Sequence, residues 1–329
     1  MRARLLLVVP AIVLGLWLTA GLVPATGQGP TTIRYSLYSP PAMPTGIDLV
    51  AMEKGYFAQE GIKIEPITVQ NGPQVIQLLE SGELQAGSAA IVPFVIGASR
   101  GVDYKIVLSS AKGNAPLVVD KGIRSIKELD GKAIATPGAG TIQNSHLLFF
   151  AKQNGLKFRP VYGQGMASVL ALFEKREVVG FVGWEPFAAV GALTMNGKYL
   201  VDFIRPEAME SVEFALSTKF MQSNPKAALG FVRGLVKAMR FLEARPDEAD
   251  EFLAKVLKVT PETVKLARKH ILLTEPKFDY KGARVMLDEL LGDGRVKGVS
   301  DRDGFLKTLV DESLLTEAIA ELDKEGWKP

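Results

Sequence analysis

From Thr32 to Leu37 (TIRYSL) β-branched or aromatic residues alternate with polar ones, the period-two pattern of a half-buried strand, and Pro40, Pro41, Pro44 and Gly46 then break it. Ile47 to Lys54 (IDLVAMEK) has helical spacing and stops at Gly55, a residue suited to a left-handed helix end, with Tyr56 and Phe57 following to pack the exit. Ile62 to Val69 (IKIEPITV) predicts a second strand, Gln74 to Glu80 a helix, and Leu84 to Ala90 a short third strand. Lys105 to Ser109 and Leu117 to Val119 continue the strands. This β, α, β, α, β order favours an open α/β sheet with helices on its faces.

After Val119 the pattern restarts. Short helix Ser125 to Leu129, strand Lys132 to Ala135, helix Thr141 to Gln153 ending near Gly155, helix Met166 to Glu174, strand Val178 to Gly183, and a helix from Pro186 predict a smaller α/β unit over about 120 to 214. Phe214 to Thr218 (FALST) leads back as a strand. Asn224 and Pro225 then start a long apolar-striped helix to about Leu242, and Pro246 and Pro261 are placed to start two more. No strand is expected beyond Thr218, and no internal repeat or low-complexity tract is present.

The N-terminus reads differently. Arg2 and Arg4 precede an apolar run from Leu5 to Leu18, followed by small residues and Pro24, the n, h and c regions of a secretory signal peptide, with cleavage expected after Ala25. The run is short for a membrane-spanning helix, so cleavage is expected over anchoring. Removing 1–25 leaves 37 basic against 36 acidic residues, too balanced a chain to hold nucleic acid, and a small molecule is the expected partner. The absence of cysteine excludes disulfides, thiolate metal sites, thiol nucleophiles and an N-terminal lipid anchor. Two distant histidines, His146 and His270, make no metal site, and no metal or other cofactor is expected.

Four segments then occur in a telling order: AMEKGYFAQEGIKIE (Ala51 to Glu65), LLESGELQAGSAA (Leu78 to Ala90), IRSIKELDGKAIATPGAGT (Ile123 to Thr141) and VVGFVGWEP (Val178 to Pro186). Over about Ile33 to Asp250 the chain resembles the nitrate, sulfonate and taurine type of periplasmic substrate-binding protein, and is similar also to the thiamine-pyrimidine-precursor binding proteins. The resemblance implies a type II periplasmic binding fold: two α/β lobes joined by two crossover strands, here near Leu117 to Val119 and Phe214 to Ser217, with a helical C-terminal tail. It divides the chain into signal peptide 1–25, a discontinuous first lobe of 26–117 and 216–329, and a second lobe of 118–215. It implies closure by hinge motion on a solute and delivery to a membrane permease with a cytoplasmic ATPase; a monomer is expected, since capture and release need only one pair of lobes. Gln85 and Val179 stand where the family has Asp; both lie at strand starts, where the change is expected to alter a local cap rather than the pocket.

Ligands in open α/β sheets sit beyond the carboxyl ends of strands, which selects Ser39 to Gly46, Gln70 to Gln74, Ser88 to Pro93, Thr136 to Thr141 and Trp184 to Pro186. Within these, Ser39, Met43, Asn71, Gly72, Ser88 and Ala89 are the first-lobe candidates. The turn TPGAGT precedes a helix whose N-terminal amides suit an anionic oxygen, making Thr136, Gly138, Gly140 and Thr141 candidates; a plain Gly-rich turn is the competing reading. As a dinucleotide fingerprint it fails, since Gly138, Gly140 and Gln143 give GxGxxQ. Trp184 offers a ring to stack on a ligand or pack a lobe, and Glu185 a carboxylate for an amine or a helix-start charge. His146 is expected to pack near a lobe surface and His270 to be solvated near a helix end. None of these loops contains Lys or Arg, and Lys112 is the nearest basic candidate.

The expected function is therefore capture of a small organic solute, sulfonate- or taurine-like or a related organic acid or amine, without catalysis. An enzyme is disfavoured by the missing histidine cluster and the lack of GxSxG. A sensory solute-binding domain of the same fold, including one for pyrimidine precursors, is the other alternative.

Overall fold

A computed structural model describes residues 29–43, 46–113, 115–202, 211–273 and 276–329; the expected signal peptide lies outside them. The chain runs β1 (Thr31–Tyr38), α1 (Gly46–Glu53), α2 (Tyr56–Gln59), β2 (Ile62–Val69), α3 (Gly72–Glu80), β3 (Ala86–Ala90), α4 (Ile91–Ser99) and β4 (Tyr104–Gly113). It continues β5 (Leu117–Asp120), β6 (Ala133–Thr136), α5 (Ile142–Asn154), β7 (Arg159–Tyr162), α6 (Met166–Glu174), β8 (Gly180–Val182), α7 (Phe187–Thr194) and β9 (Gly197–Val201). Then follow β10 (Ser211–Ser217), α8 (Thr218–Ser223), α9 (Pro225–Ala244), α10 (Pro246–Leu257), α11 (Pro261–Ala267), β11 (Ile271–Leu273), α12 (Tyr280–Gly292), α13 (Arg302–Leu309) and α14 (Ser313–Lys324).

The strands form two sheets, ordered β11-β4-β10-β3-β1-β2 and β7-β6-β8-β5-β9. β1 runs parallel to β2 and β3, and β10 lies antiparallel between β3 and β4. In the second sheet β6 is parallel to β7 and β8, while β5 is antiparallel to β8 and β9. The chain leaves the first sheet between Gly113 and Leu117 and returns between Val201 and Ser211. The division expected at residue 215 falls inside β10, which pairs along its length with first-sheet strands.

Helix periodicity explains the packing of the first sheet. In α9, Ala227, Ala228, Phe231, Val232, Leu235, Val236 and Phe241 form the buried stripe, which packs on α1, α2 and α14. Gly234 lets α2 approach: a Cβ there would lie 2.6 Å from Phe57 Cδ1, and Phe57 stacks on Phe231 at 5.2 Å and 7°. Arg233 and Lys237, one turn apart and buried, both reach Glu60, at 2.8 and 2.6 Å. The C-terminal helices belong to the same body, α12 packing on α4 and α13 and α14 on β4. Apolar contact also continues between the lobes, through Tyr38, Ala89, Met166, Phe181 and Trp184.

Several elements depart from the pattern reading. β11 lies beyond Thr218; it is a three-residue run made a strand by pairing with the edge of β4. The Ser88 to Pro93 loop is instead the end of β3 and the start of α4, whose Ile91, Val92, Pro93, Phe94 and Val95 are all buried, so the helix shows no polar face to read. β7 and β9 are the outer strands of the second sheet, too short and too mixed in burial to produce alternation. By contrast, Gly55 (φ 71°) and Gly155 (φ 63°) take the left-handed conformation where their helices stop.

Candidate functional site

The carboxyl ends of the strands in both sheets converge on the seam between lobes. From the first sheet, β1 ends at Tyr38, whose ring meets Trp184 edge-on at 5.7 Å and 75°. Met43, just beyond, donates its backbone N–H to the carbonyl of Glu185 at 2.9 Å. Asn71 caps α3, its Oδ1 accepting from Gln74 N at 3.1 Å, and its amide nitrogen lies 3.8 Å from where a Cβ on Gly138 would stand. Pro73 faces Gly140 in the same way, at 3.1 Å, and Gln70 faces Gly165. The first-lobe rim 70–73 and the second-lobe turns at 138–140 and 165 are therefore in contact.

In the second sheet Ala135 pairs with Phe181, so Thr136 and Trp184 come from the ends of adjacent parallel strands. Both side chains are buried, and neither Thr136 Oγ1 nor Trp184 Nε1 has a hydrogen-bond partner among the described residues. Buried polar atoms are nearly always matched, so each of these two is open to one further hydrogen bond. The Thr141 hydroxyl, in contrast, is occupied: it donates to Gly138 O at 2.7 Å and caps α5 by accepting from Asn144 N at 3.3 Å.

Glu185 is fully buried, Oε1 accepting from Tyr199 OH at 2.8 Å and Oε2 from Ala189 N at 3.0 Å. Burial pushes its carboxyl up to about 7, against the lowering effect of those hydrogen bonds and of His270. Ser88 is buried too: its hydroxyl donates to the Tyr35 oxygen at 3.0 Å, and its carbonyl accepts from Tyr38 OH at 3.0 Å. Gly72 and Ala89 pack together with Pro93 inside the first lobe, where a Cβ on Gly72 would lie 2.6 Å from Pro93 Cγ. Ser39 is exposed on the rim, its N–H donating to Val69 O at 3.0 Å.

Several neighbours escape a reading of the strand-end loops. Asp48, in the first turn of α1, is 1% exposed; its Oδ2 accepts from Tyr35 OH at 2.5 Å and its Oδ1 from Leu49 N at 2.6 Å. Burial raises its carboxyl to about 7. An acid at a helix start is commonplace, and only the register of β1 with β3 brings Tyr35 and Ser88 beside it. His146 is 1% exposed rather than at the lobe surface, because α5 is buried over most of its first two turns. His270 is half-buried rather than solvated: it stacks on Tyr199 at 3.9 Å and 10°, and its Nδ1 lies 2.6 Å from Asp202 Oδ2. Lys112 is engaged by Asp279. Gln85 accepts from both Arg34 N and Arg34 Nε, at 3.0 and 3.2 Å. Among the described residues no group of three His, Cys, Asp or Glu is placed to hold a metal ion.

A family model described as NMT1/THI5-like matches residues 45–249. A putative aliphatic sulfonates-binding protein of Bacillus subtilis is 25% identical, over 84% of this chain and 86% of its own. The taurine-binding periplasmic protein of Escherichia coli is 28% identical over 66% of this chain and 67% of its own. Among solved structures, the alkanesulfonate-binding protein SsuA from Xanthomonas axonopodis pv. citri bound to MOPS superposes with a TM-score of 0.71 at 19% identity, covering 82% of this chain and 96% of that one. The periplasmic nitrate-binding protein NrtA from Synechocystis PCC 6803 gives 0.73 at 14%, covering 89% of each. These likenesses show the periplasmic binding protein fold that the ordered motifs led us to expect.

Proposed function

Because the chain belongs to the NMT1/THI5-like family, we propose that it is the exported solute-binding subunit of an ATP-driven importer, capturing a small organic solute between its lobes by hinge closure and handing it to a membrane permease. In this reading residues 1–25 are a cleaved signal peptide, the mature protein works outside the cytoplasm as a monomer, and it performs no chemistry on its solute. The first lobe contributes Ser39, Met43, Asn71, Gly72, Ser88 and Ala89. The second contributes Thr136, Gly138, Gly140, Thr141, Trp184 and Glu185.

The observation that supports this most directly is that two buried atoms unmatched among the described residues, Thr136 Oγ1 and Trp184 Nε1, lie at adjoining strand ends of one lobe where the other lobe touches it through Tyr38 and Met43. A ligand that supplies their missing hydrogen bonds binds both lobes and favours their closure. The sulfonate, taurine and nitrate named for the similar proteins belong in the first panel of candidates.

The test is a thermal-shift screen on protein stripped of solute by unfolding and refolding, against alkanesulfonates, taurine, nitrate, aromatic carboxylates, amines and pyrimidines. A ligand at about 100 times its dissociation constant stabilises the folded chain by roughly 2.7 kcal/mol, a clear rise in midpoint. One strong hit without turnover supports solute capture. Turnover of a hit, or a chain retained in the cytoplasm with its N-terminus intact, overturns it.

A further inference from the structure

The buried ionisable side chains divide by sign and place. The buried cations among the described residues, Arg233 and Lys237, lie on α9 and are both bonded to Glu60, away from the seam. The buried acids among the described residues are Asp48, Glu185 and Glu213. Asp48 follows Met43 by five residues, Glu185 follows Trp184, and Glu213 in β10 pairs with Ala89 and accepts from the Ser109 hydroxyl.

Among the described residues, an anionic solute entering this seam meets acids and no free base. Residues 39–43, 70–74, 88–93, 136–141, 163–168 and 184–186 contain no Lys or Arg. Lys112 is held by Asp279, and Arg295 by Asp293 and Ser145. Asp48 accepts one hydrogen bond on each oxygen and has no ion-pair partner among the described residues, so each oxygen keeps a lone pair. A buried carboxylate in that condition is costly, and a cation beside it recovers much of the cost. Tyr38 contacts Trp184 through its ring and donates its hydroxyl to the carbonyl of Ser88, whose side chain shares the Tyr35 hydroxyl with Asp48.

We infer that the seam selects a solute with a protonated amine or amidine at its first-lobe end, beside Asp48, an apolar or planar body along Tyr38, and an uncharged hydrogen-bond acceptor at its second-lobe end, facing Trp184 Nε1 and the Thr136 hydroxyl. This rests on the solute-binding function proposed above and assigns its charge class. Sulfonates and nitrate are excluded by the same electrostatics that admit the amine.

The experiment is calorimetric titration of the stripped protein with two matched series, phenethylamine, benzamidine and butylamine against phenethanesulfonate, benzenesulfonate and butanesulfonate. The amines bind and their sulfonate counterparts do not. Asp48→Asn weakens the best amine by about thirtyfold, the usual scale for removing one member of a buried charge pair. Trp184→Phe, which keeps the ring and removes the N–H, weakens by several-fold an amine that carries an acceptor, and keeps the test decisive should Asp48→Asn not fold. Sulfonates outbinding their amine counterparts, or amine affinity unchanged in both variants, overturns the charge assignment while leaving solute capture intact. Silence from both series and from the wider panel overturns the two proposals together; silence from both series with an anionic hit in that panel overturns only the charge assignment.

Discussion

Tyr38, the last residue of β1 in one lobe, meets Trp184, two residues past β8 in the other, edge to face at 5.7 Å and 75°. This contact joins the carboxyl ends of two sheets, the position at which open α/β sheets bind ligands. Trp184 therefore packs the lobes together and leaves its indole N–H unmatched among the described residues. Trp184→Ala is expected to destabilise the solute-free protein by about 3 kcal/mol through the lost aromatic packing. Trp184→Phe is expected to retain most of that stability. Chemical denaturation of both variants measures the difference; equal losses would mean that a phenyl ring cannot replace the indole in this contact.

Asp48 and Glu185 make stability depend on pH in a stated direction. Folding lifts Asp48 from an ordinary 3.8 and Glu185 from 4.5 to about 7 each. Between those limits the folded chain keeps protons that the unfolded chain has lost. The contribution of these acids is thus fully present below about pH 4 and disappears as pH rises through about 7. The thermal midpoint of solute-free protein is expected to fall from pH 5 to pH 8, and Asp48→Asn to remove about half of the fall. An unchanged slope in the variant would show that Asp48 does not titrate in this window.

Glu60 is the common acceptor for Arg233 and Lys237. Removing it strands two buried cations, although Arg233 keeps Glu321 and Glu325 at the surface. Glu60→Ala is expected to cost about 3 kcal/mol in urea denaturation, with solute affinity unaltered because α9 lies behind the first sheet. A loss below about 0.5 kcal/mol would place the triad among ordinary surface pairs.

Arg295 Nη1 donates to Ser145 Oγ at 2.7 Å, tying the segment after α12 to α5 in the other lobe, while Asp293 holds the guanidinium through Nε and Nη2. Arg295→Ala is expected to lower solute affinity by about threefold through a smaller closed population, and to leave the midpoint of solute-free protein within about a degree. Small-angle scattering with and without ligand reads the same population. An unchanged affinity would show that closure does not use this bond.

Much of the architecture was legible along the chain because it depends on local period and punctuation. The eight-residue β2 begins and ends where IKIEPITV does, α6 spans MASVLALFE, and α5 stops at Gly155, since alternation, helical spacing and left-handed glycines act within a few residues. The candidate loops were legible for the same reason, being whatever follows each strand. The α4 helix was not, because burial on all sides removes the polar face by which a helix is recognised, and β11 was not, because an edge strand of three residues exists only through its pairing with β4.

What the side chains at the seam do was settled by packing alone. Thr141 and Thr136 stand in one short motif, yet one hydroxyl is spent on a helix cap and the other is left unmatched. Asp48 reads as a helix-start acid until the register of β1 and β3 sets Tyr35 and Ser88 around it and takes it out of water. The sequence by itself determined the order of elements and the residue types each strand end offers, because those follow from local backbone preference. The tertiary structure decided which of those groups lose their water and their partners, because desolvation and hydrogen-bond matching depend on neighbours brought from distant parts of the chain.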